Sequence, residues 1–283
     1  MNLFSGCTAI EKIEFAHFVR GDIISMMNMF KGCYYLKEIH FSAFCTDNVN
    51  NMSYMFQSCT SLQQLVLSKF NTRNVIGMKG MFDGCSALKS IKFGNFINSN
   101  LTDVEYMFSH CRCLVELDLA HFSTGNVINM PNMFCRCYFL KDFNFSNFDT
   151  TNVQDMSGMF SECYNLKRID LSKIDTNKVI TMSRMYYYCK NLENINLSSF
   201  RTNNLEDVSY IFEACSSLKE INLNSFNTNK ITNMCAMFYA CKNLEKLNLS
   251  SFSTTNVKTM SHMFGYCCKL SELDISNFTT DNL

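Results

Sequence analysis

The chain repeats itself every 26 residues, and that period constrains its fold more than any other property. One phenylalanine column runs through Phe4, Phe30, Phe56, Phe82, Phe108, Phe134, Phe160, Phe212, Phe238 and Phe264, with Tyr186 in the eighth place. A cysteine follows three residues later in all eleven copies, from Cys7 to Cys267. No insertion or deletion breaks the register. Self-similarity of this kind defines a solenoid, in which each repeat packs only against its neighbours. The expectation is one continuous array over 1–283, of about eleven repeats. The first and last are incomplete, and no capping repeats or linker are visible.

Composition excludes several classes. A hydrophobic fraction of 47% is that of a folded chain, not a disordered one. Basic and acidic residues balance at 25 each, without like-charge runs, so the basic stripe needed to grip nucleic acid is missing. No apolar run approaches the roughly 20 residues that span a bilayer, which argues against direct membrane insertion. The N-terminal Met1-Asn2-Leu3-Phe4-Ser5 shows no basic region leading into an apolar core, so no signal peptide is visible. Sixteen cysteines would indicate a disulfide scaffold in a short secreted chain. Eleven of them share one position inside an apolar pattern, however, where cysteine acts as a small buried hydrophobe.

The aligned copies read M-x-x-M-F-x-x-C-x-x-L-x-x-L-x-L-S-x-F-x-T-x-N-V-x-x. Met52, Met55, Phe56, Cys59 and Leu62 fall at i, i+3, i+4, i+7 and i+10, the spacing of one helical face. The preceding position holds Ser25, Asn51, Gly77, Asp103, Asn129, Asp155, Thr181, Asp207, Asn233 and Thr259, all residues favoured at a helix N-cap. Pro131, the chain's one proline, falls within the first turn, where no intrahelical N–H is required. These signals predict a helix of about two turns. Leu65-Val66-Leu67-Ser68 and its relatives then alternate with period two, which predicts a short strand. Phe70-Asn71-Thr72-Arg73-Asn74-Val75 leads back to the next cap, with Thr72 and Asn74 placed to bond backbone groups.

The predicted fold class is therefore α/β: a curved leucine-rich-repeat-like solenoid with one short parallel strand and one short helix per repeat. Strands stack about 4.8 Å apart and helices about 8–10 Å, so the sheet would line the concave side. One repeat offers about nine apolar side chains worth roughly 1.5–3 kcal/mol each when buried. Ordering its backbone costs roughly 1–2 kcal/mol per residue, so a lone repeat cannot fold.

The motif Met-Phe-x-x-Cys-x-x-Leu-x-x-Leu-x-Leu-Ser-x-Phe-x-Thr-x-Asn-Val resembles the BspA-type leucine-rich repeat of microbial surface proteins, over essentially the whole chain. It departs from the general leucine-rich pattern in placing Phe70 and its equivalents where the ladder asparagine usually stands. The resemblance implies a cell-surface or extracellular protein that binds host proteins, matrix or other cells, with no enzyme activity of its own. It supplies no binding motif to carry over.

No phosphate loop, His-Glu-x-x-His or nucleophile elbow occurs, so neither catalysis nor a cofactor is expected. His17 and His121 occupy the same repeat position four copies apart, and His40, His110 and His262 are scattered. Cys111-Arg112-Cys113 and Cys135-Arg136-Cys137 lie on adjacent repeats, but two of these thiols belong to the buried column, so no metal site is expected. The binding candidate is the polar column between the two inward strand positions. After Glu14, His40, Val66 and Lys92 it reads Asp118, Asn144, Asp170, Asn196, Asn222, Asn248 and Asp274. The bland reading is a solvated sheet face. The functional one is a groove for a protein or glycan, a use to which solenoid surfaces are suited. Tyr187 and Tyr188 on the outer side, with Tyr34, Tyr138 and Tyr164, form a second, aromatic candidate. An intracellular interaction scaffold is the alternative function, and uncapped ends predict end-to-end self-association.

Overall fold

The computed structural model describes residues 2–19, 21–94, 96, 100–119, 122–141 and 148–282, with the side chain of Glu116 also left aside. The chain divides into two compact units, Met1–Leu140 and Lys141–Leu283. In each, successive 26-residue rungs stack in parallel.

The first unit contains β1 (Lys12–Phe15), β2 (Glu38–Phe41), β3 (Gln64–Leu67), β4 (Ser90–Phe93) and β5 (Glu116–Leu117). β1 pairs with β2, and β3-β4-β5 form a second sheet, all parallel. The register is one repeat: Ile13 faces Ile39, and Leu65 faces Ile91. The second unit contains β6 (Glu220–Ile221) and β7 (Lys246–Leu247), with Ile221 facing Leu247. The predicted alternation holds, since Leu65 and Leu67 are buried while Gln64 and Val66 are exposed. Residues 195–198 keep the same in–out pattern without forming a paired strand.

The predicted helix is not there. Among the described residues there is no α-helix, and the methionine–cysteine segment is a run of hydrogen-bonded turns. The N–H groups of Met26, Asn28, Phe30 and Gly32 donate to the carbonyls of Asn51, Ser53, Met55 and Gln57 on the next rung, at 2.8–3.1 Å, and equivalent bonds recur on other rungs. The alternate groups of Met29, Lys31 and Cys33 donate three residues back, to Met26, Asn28 and Phe30. Among the described residues every positive φ lies in one of two repeat columns, those of Asn28 (φ 57°) and Gly32 (φ 74°). These are the third residues of turns closed by Met29 and Cys33, the place where a type II turn requires positive φ. Met130-Pro131-Asn132-Met133 shows the preference fully, with proline second and Asn132 third at φ 56°.

The reason is spacing. A two-turn helix is marginal on its own and needs about 8–10 Å from its neighbour. Here the stacked rings of Phe4, Phe30 and Phe56 lie 5.5 and 5.2 Å apart, so each rung satisfies its backbone against the next. The apolar set expected of the helix is nonetheless the buried set: Met52, Met55, Phe56, Cys59 and Leu62 have no exposed surface. The helical caps also keep a function, because Asn51 and Asp103 accept the N–H two residues on, at 2.8 and 2.9 Å, as Asx turns. A sheet-inward bend was expected from helix width, and that cause is absent.

Side-chain ladders bind the rungs. In the first unit the phenylalanine stack runs from Phe4 to Phe134 with centroids 5.2–5.8 Å apart. In the second it runs from Phe160 through Tyr186 to Phe264 at 5.7–6.1 Å. Within each unit the ladder thiols donate to the backbone carbonyl of the aromatic column one rung back, as Cys59 does to Phe30 and Cys111 to Phe82, both at 3.2 Å, and Cys215 to Tyr186 at 3.1 Å. Thr46 both donates to the carbonyl of Asn71 and accepts its N–H, and Thr176, Thr202 and Thr228 repeat this with Arg201, Asn227 and Ser253. Asn74 donates to the Asp47 carbonyl, and Asn204 to that of Asn177, both at 2.8 Å.

Candidate binding surface

The strand face presents the polar column that the sequence singled out. Asp118 is exposed one residue beyond β5, in the first unit. Asn144 lies outside the described residues. Asp170, Asn196, Asn222, Asn248 and Asp274 are exposed on successive rungs of the second unit.

The structure adds a local role for these five. Each side-chain oxygen accepts the backbone N–H two residues on, in Ser172, Ser198, Asn224, Ser250 and Ser276, at 2.9–3.0 Å. They are Asx turns that end the strand segment. Donation from the backbone N–H and hydroxyl of Ser172 holds the Asp170 carboxyl below the usual range, and Ser276 does the same for Asp274. The Asn196, Asn222 and Asn248 amides thus spend their oxygen on the fold and turn their NH2 groups to the outside.

Two cavities lie over the strand face of the first unit. One of about 470 Å³ is lined by Val66, Lys92, Phe93, Phe96, Asp118 and Phe122 among others. The other, of about 730 Å³, lies over His40, Val66 and Gln64. Sequence reading missed the charge ladders beside this column. Lys37 pairs with Glu11 at 2.8 Å, Lys12 with Glu38 at 3.4 Å, and Lys167 with Glu193 at 3.8 Å. Alternating charge at intervals of 26 residues was the available signal. These pairs are exposed, so each stabilises by about 0–1 kcal/mol.

The remaining chemistry-bearing groups serve the fold. Burial pushes the thiol of Cys33 up to about 11 and that of Cys85 to about 12, so both stay protonated as donors. Cys111 and Cys137 point at the carbonyls of Phe82 and Phe108. Among the described residues no three metal-capable side chains converge. His110 Nδ1 lies 2.8 Å from Ser109 Oγ and 3.2 Å from Asp83, while its Nε2 lies 3.1 Å from Arg136. Serine and carboxylate meet the same ring nitrogen, so the imidazole cannot relay a proton between them, and Ser109 is fully buried. Among the described residues no helix is long and apolar enough to cross a membrane.

Comparison with known proteins agrees with a repeat protein. The family model described as "Mycoplasma protein of unknown function, DUF285" matches residues 1–116, 102–222 and 208–283. The chain belongs to this family, and its 26-residue unit is consistent with the BspA-type leucine-rich repeat. No curated protein matches the sequence. Among solved structures it is similar to a leucine-rich repeat protein from Bacteroides ovatus, at 17% identity and a TM-score of 0.39, covering 94% of this chain and 79% of that one. A leucine-rich cell surface protein from Faecalibacterium prausnitzii is 16% identical with a TM-score of 0.45, over 95% and 84% of the two chains. The plant peptide hormone receptor RGFR1, solved with RGF2, is 17% identical with a TM-score of 0.33, over 87% of this chain and 41% of the receptor.

Proposed function

We propose that this protein is a non-enzymatic adhesion or recognition repeat of a microbial surface, binding a protein or glycan partner along its strand face. The observation that carries this reading is the division of labour within a rung. Inward positions are nearly constant, whereas the exposed strand column changes from Glu14, His40, Val66 and Lys92 to the Asx series of the second unit. Variation on a regular scaffold is how solenoids acquire specificity. The unbroken register of the repeat supports treating both units as one array, and two separate thermal transitions would count against that. End-to-end self-association belongs to the same proposal, and light scattering that shows only monomer over a wide concentration range would remove it.

The test uses swaps that keep the Asx turns. Asp170→Asn, Asn196→Asp, Asn222→Asp and Asn248→Asp retain the accepting oxygen while changing the charge and outward donors. Wild type should bind saturably to at least one member of a panel of immobilised matrix proteins and glycans. The fourfold variant should lose about tenfold or more in affinity, roughly 1.4 kcal/mol, with an unchanged thermal midpoint. Unchanged affinity would refute the strand-face assignment.

An intracellular interaction scaffold is the second reading. It is favoured by the absence of a disulfide at any of the sixteen cysteines, since reduced thiols are typical of reducing compartments. Protease treatment of intact cells separates the two readings: a surface protein is degraded and a scaffold is spared.

A further inference from the structure

The turn face of Met1–Leu140 carries a polar notch that strand-face binding does not use. A cavity of about 420 Å³ lies there, spanning successive rungs. Ser58, Gly84 and His110 line it from one repeat column, and Gly84 leaves a gap between the other two side chains. The register is fixed by the Ser58 N–H to the Asp83 carbonyl at 2.7 Å and the Gly84 N–H to the Ser109 carbonyl at 2.9 Å. A Cβ on Gly84 would lie 3.3 Å from Ser58 Oγ, so the serine hydroxyl overhangs the empty place.

Asp83 and Arg112 bring opposite charges to this cavity. Burial opposes ionisation of Asp83, but hydrogen bonds from His110 and Gln57 outweigh it and hold its carboxyl low. The His110 ring is fixed in turn, with Nδ1 3.2 Å from Asp83 and Nε2 3.1 Å from Arg136. Arg112 lies over the Tyr138 ring, 5.6 Å from its centroid, and among the described residues its guanidinium has no carboxylate partner. The Ser58 and Ser86 hydroxyls, which also line the cavity, are likewise unengaged among the described residues. Thr60 donates to the Tyr34 carbonyl at 3.1 Å and keeps its lone pairs for a ligand.

Among the described residues no aliphatic or phenyl side chain lines the cavity, so an apolar ligand finds nothing to bury against. The Asp83 charge disfavours an anion, and the Arg112 charge a cation. A neutral ligand rich in hydroxyls suits both, because each hydroxyl donates one hydrogen bond and accepts others. Its bonds to Asp83 and Arg112 would be charge-assisted, and the volume lies in the range of small-molecule sites. We propose that the notch binds one sugar ring of a glycan, with Asp83 accepting, Arg112 donating, and Ser58 and Ser86 doing either. The site stands without the strand-face reading.

Saturation-transfer NMR on the whole chain tests this with methyl glucoside, methyl galactoside, methyl mannoside and N-acetylglucosamine. Glycerol, methyl phosphate and tetramethylammonium serve as controls. At least one sugar should bind saturably, and each control at least about tenfold more weakly. Arg112→Gln should weaken the sugar about tenfold. Gly84→Tyr should abolish its binding by filling the gap, with a residue that this column already holds at Tyr188 and Tyr266, φ 56° and 59°. Thermal midpoints should stay unchanged, and the fourfold strand-face variant should bind the sugar like wild type. Absence of saturable binding by every sugar, full affinity in Arg112→Gln, or stronger binding of either ion would overturn the site. Equal binding of glycerol would overturn the sugar assignment, and loss of the sugar in the strand-face variant would overturn the location.

Discussion

Tyr186 stands where every other rung has phenylalanine, and its hydroxyl has entered the core without a partner. The side chain is fully buried, and among the described residues its hydroxyl meets no donor or acceptor. Burial pushes its phenol pKa well up. The ring stacks at 5.8 Å on Phe160 and 5.7 Å on Phe212, as a phenylalanine would. Tyr186→Phe therefore removes one desolvated polar atom and leaves the stack intact. An unsatisfied buried hydroxyl costs about 1–3 kcal/mol, and the small void left by one oxygen returns a few tenths. The variant should gain about 1–2 kcal/mol, or a rise in melting midpoint of about 2–6 °C for a unit of this size. The reciprocal change, Phe212→Tyr, places the same group one rung on and should lose a similar amount. Calorimetry or urea melts followed by circular dichroism read both. If Tyr186→Phe melts at or below wild type, the hydroxyl is satisfied and the reasoning fails.

Three further outcomes follow from the turn ladder and its side chains. Ala214 sits at φ 56°; relief of a left-handed residue is worth about 1–2 kcal/mol, less about 0.4–1 for glycine's freedom when unfolded. Ala214→Gly should thus raise the urea midpoint slightly, whereas in a helix it would cost about 1 kcal/mol, so a fall would refute the turn assignment. Titration with Ellman's reagent should leave nine buried thiols unreacted in the native protein and modify all sixteen after unfolding; sixteen fast thiols in the native state would contradict the thiol ladder. For Asp83, burial opposes ionisation, but hydrogen bonds from His110 and Gln57 outweigh it and hold the carboxyl low, as Ser172 and Ser276 do for Asp170 and Asp274. A folded-state value below the unfolded one gives stability that is full above the ordinary carboxylate range and lost as pH falls through the depressed value. Urea midpoints should decline on acidification, and Asp83→Asn should flatten that decline; an unaltered acid limb would exclude Asp83.

Much of this fold was legible because burial depends on period alone. The spacing of Met52, Met55, Phe56, Cys59 and Leu62 named the inward set correctly, and Leu65 and Leu67 gave the strand and its faces. The path of the backbone between those residues was not legible from spacing, since successive turns and a helix place the same residues inward. The arbitrating signals were present: Gly6, Gly32, Gly80, Gly84 and Gly158 recur in two columns, and Pro131-Asn132 is a turn pair. The candidate column was found by its polarity and exposure, but its Asx turns were not, because an Asn before Leu-Ser reads equally as a solvated residue.

The inter-rung bonds also govern how such a protein can change in length. Within one rung the alternate turn amides, the thiol, the strand, the threonine and the asparagine all reach a neighbour at a fixed offset of 25 to 29 residues. A single added residue would put every later column out of phase with the rung before it, so five kinds of contact would fail together. Gain or loss of a whole rung preserves them all. Length is therefore quantised: within such a stack, descent can add or remove 26 residues at a time far more readily than one.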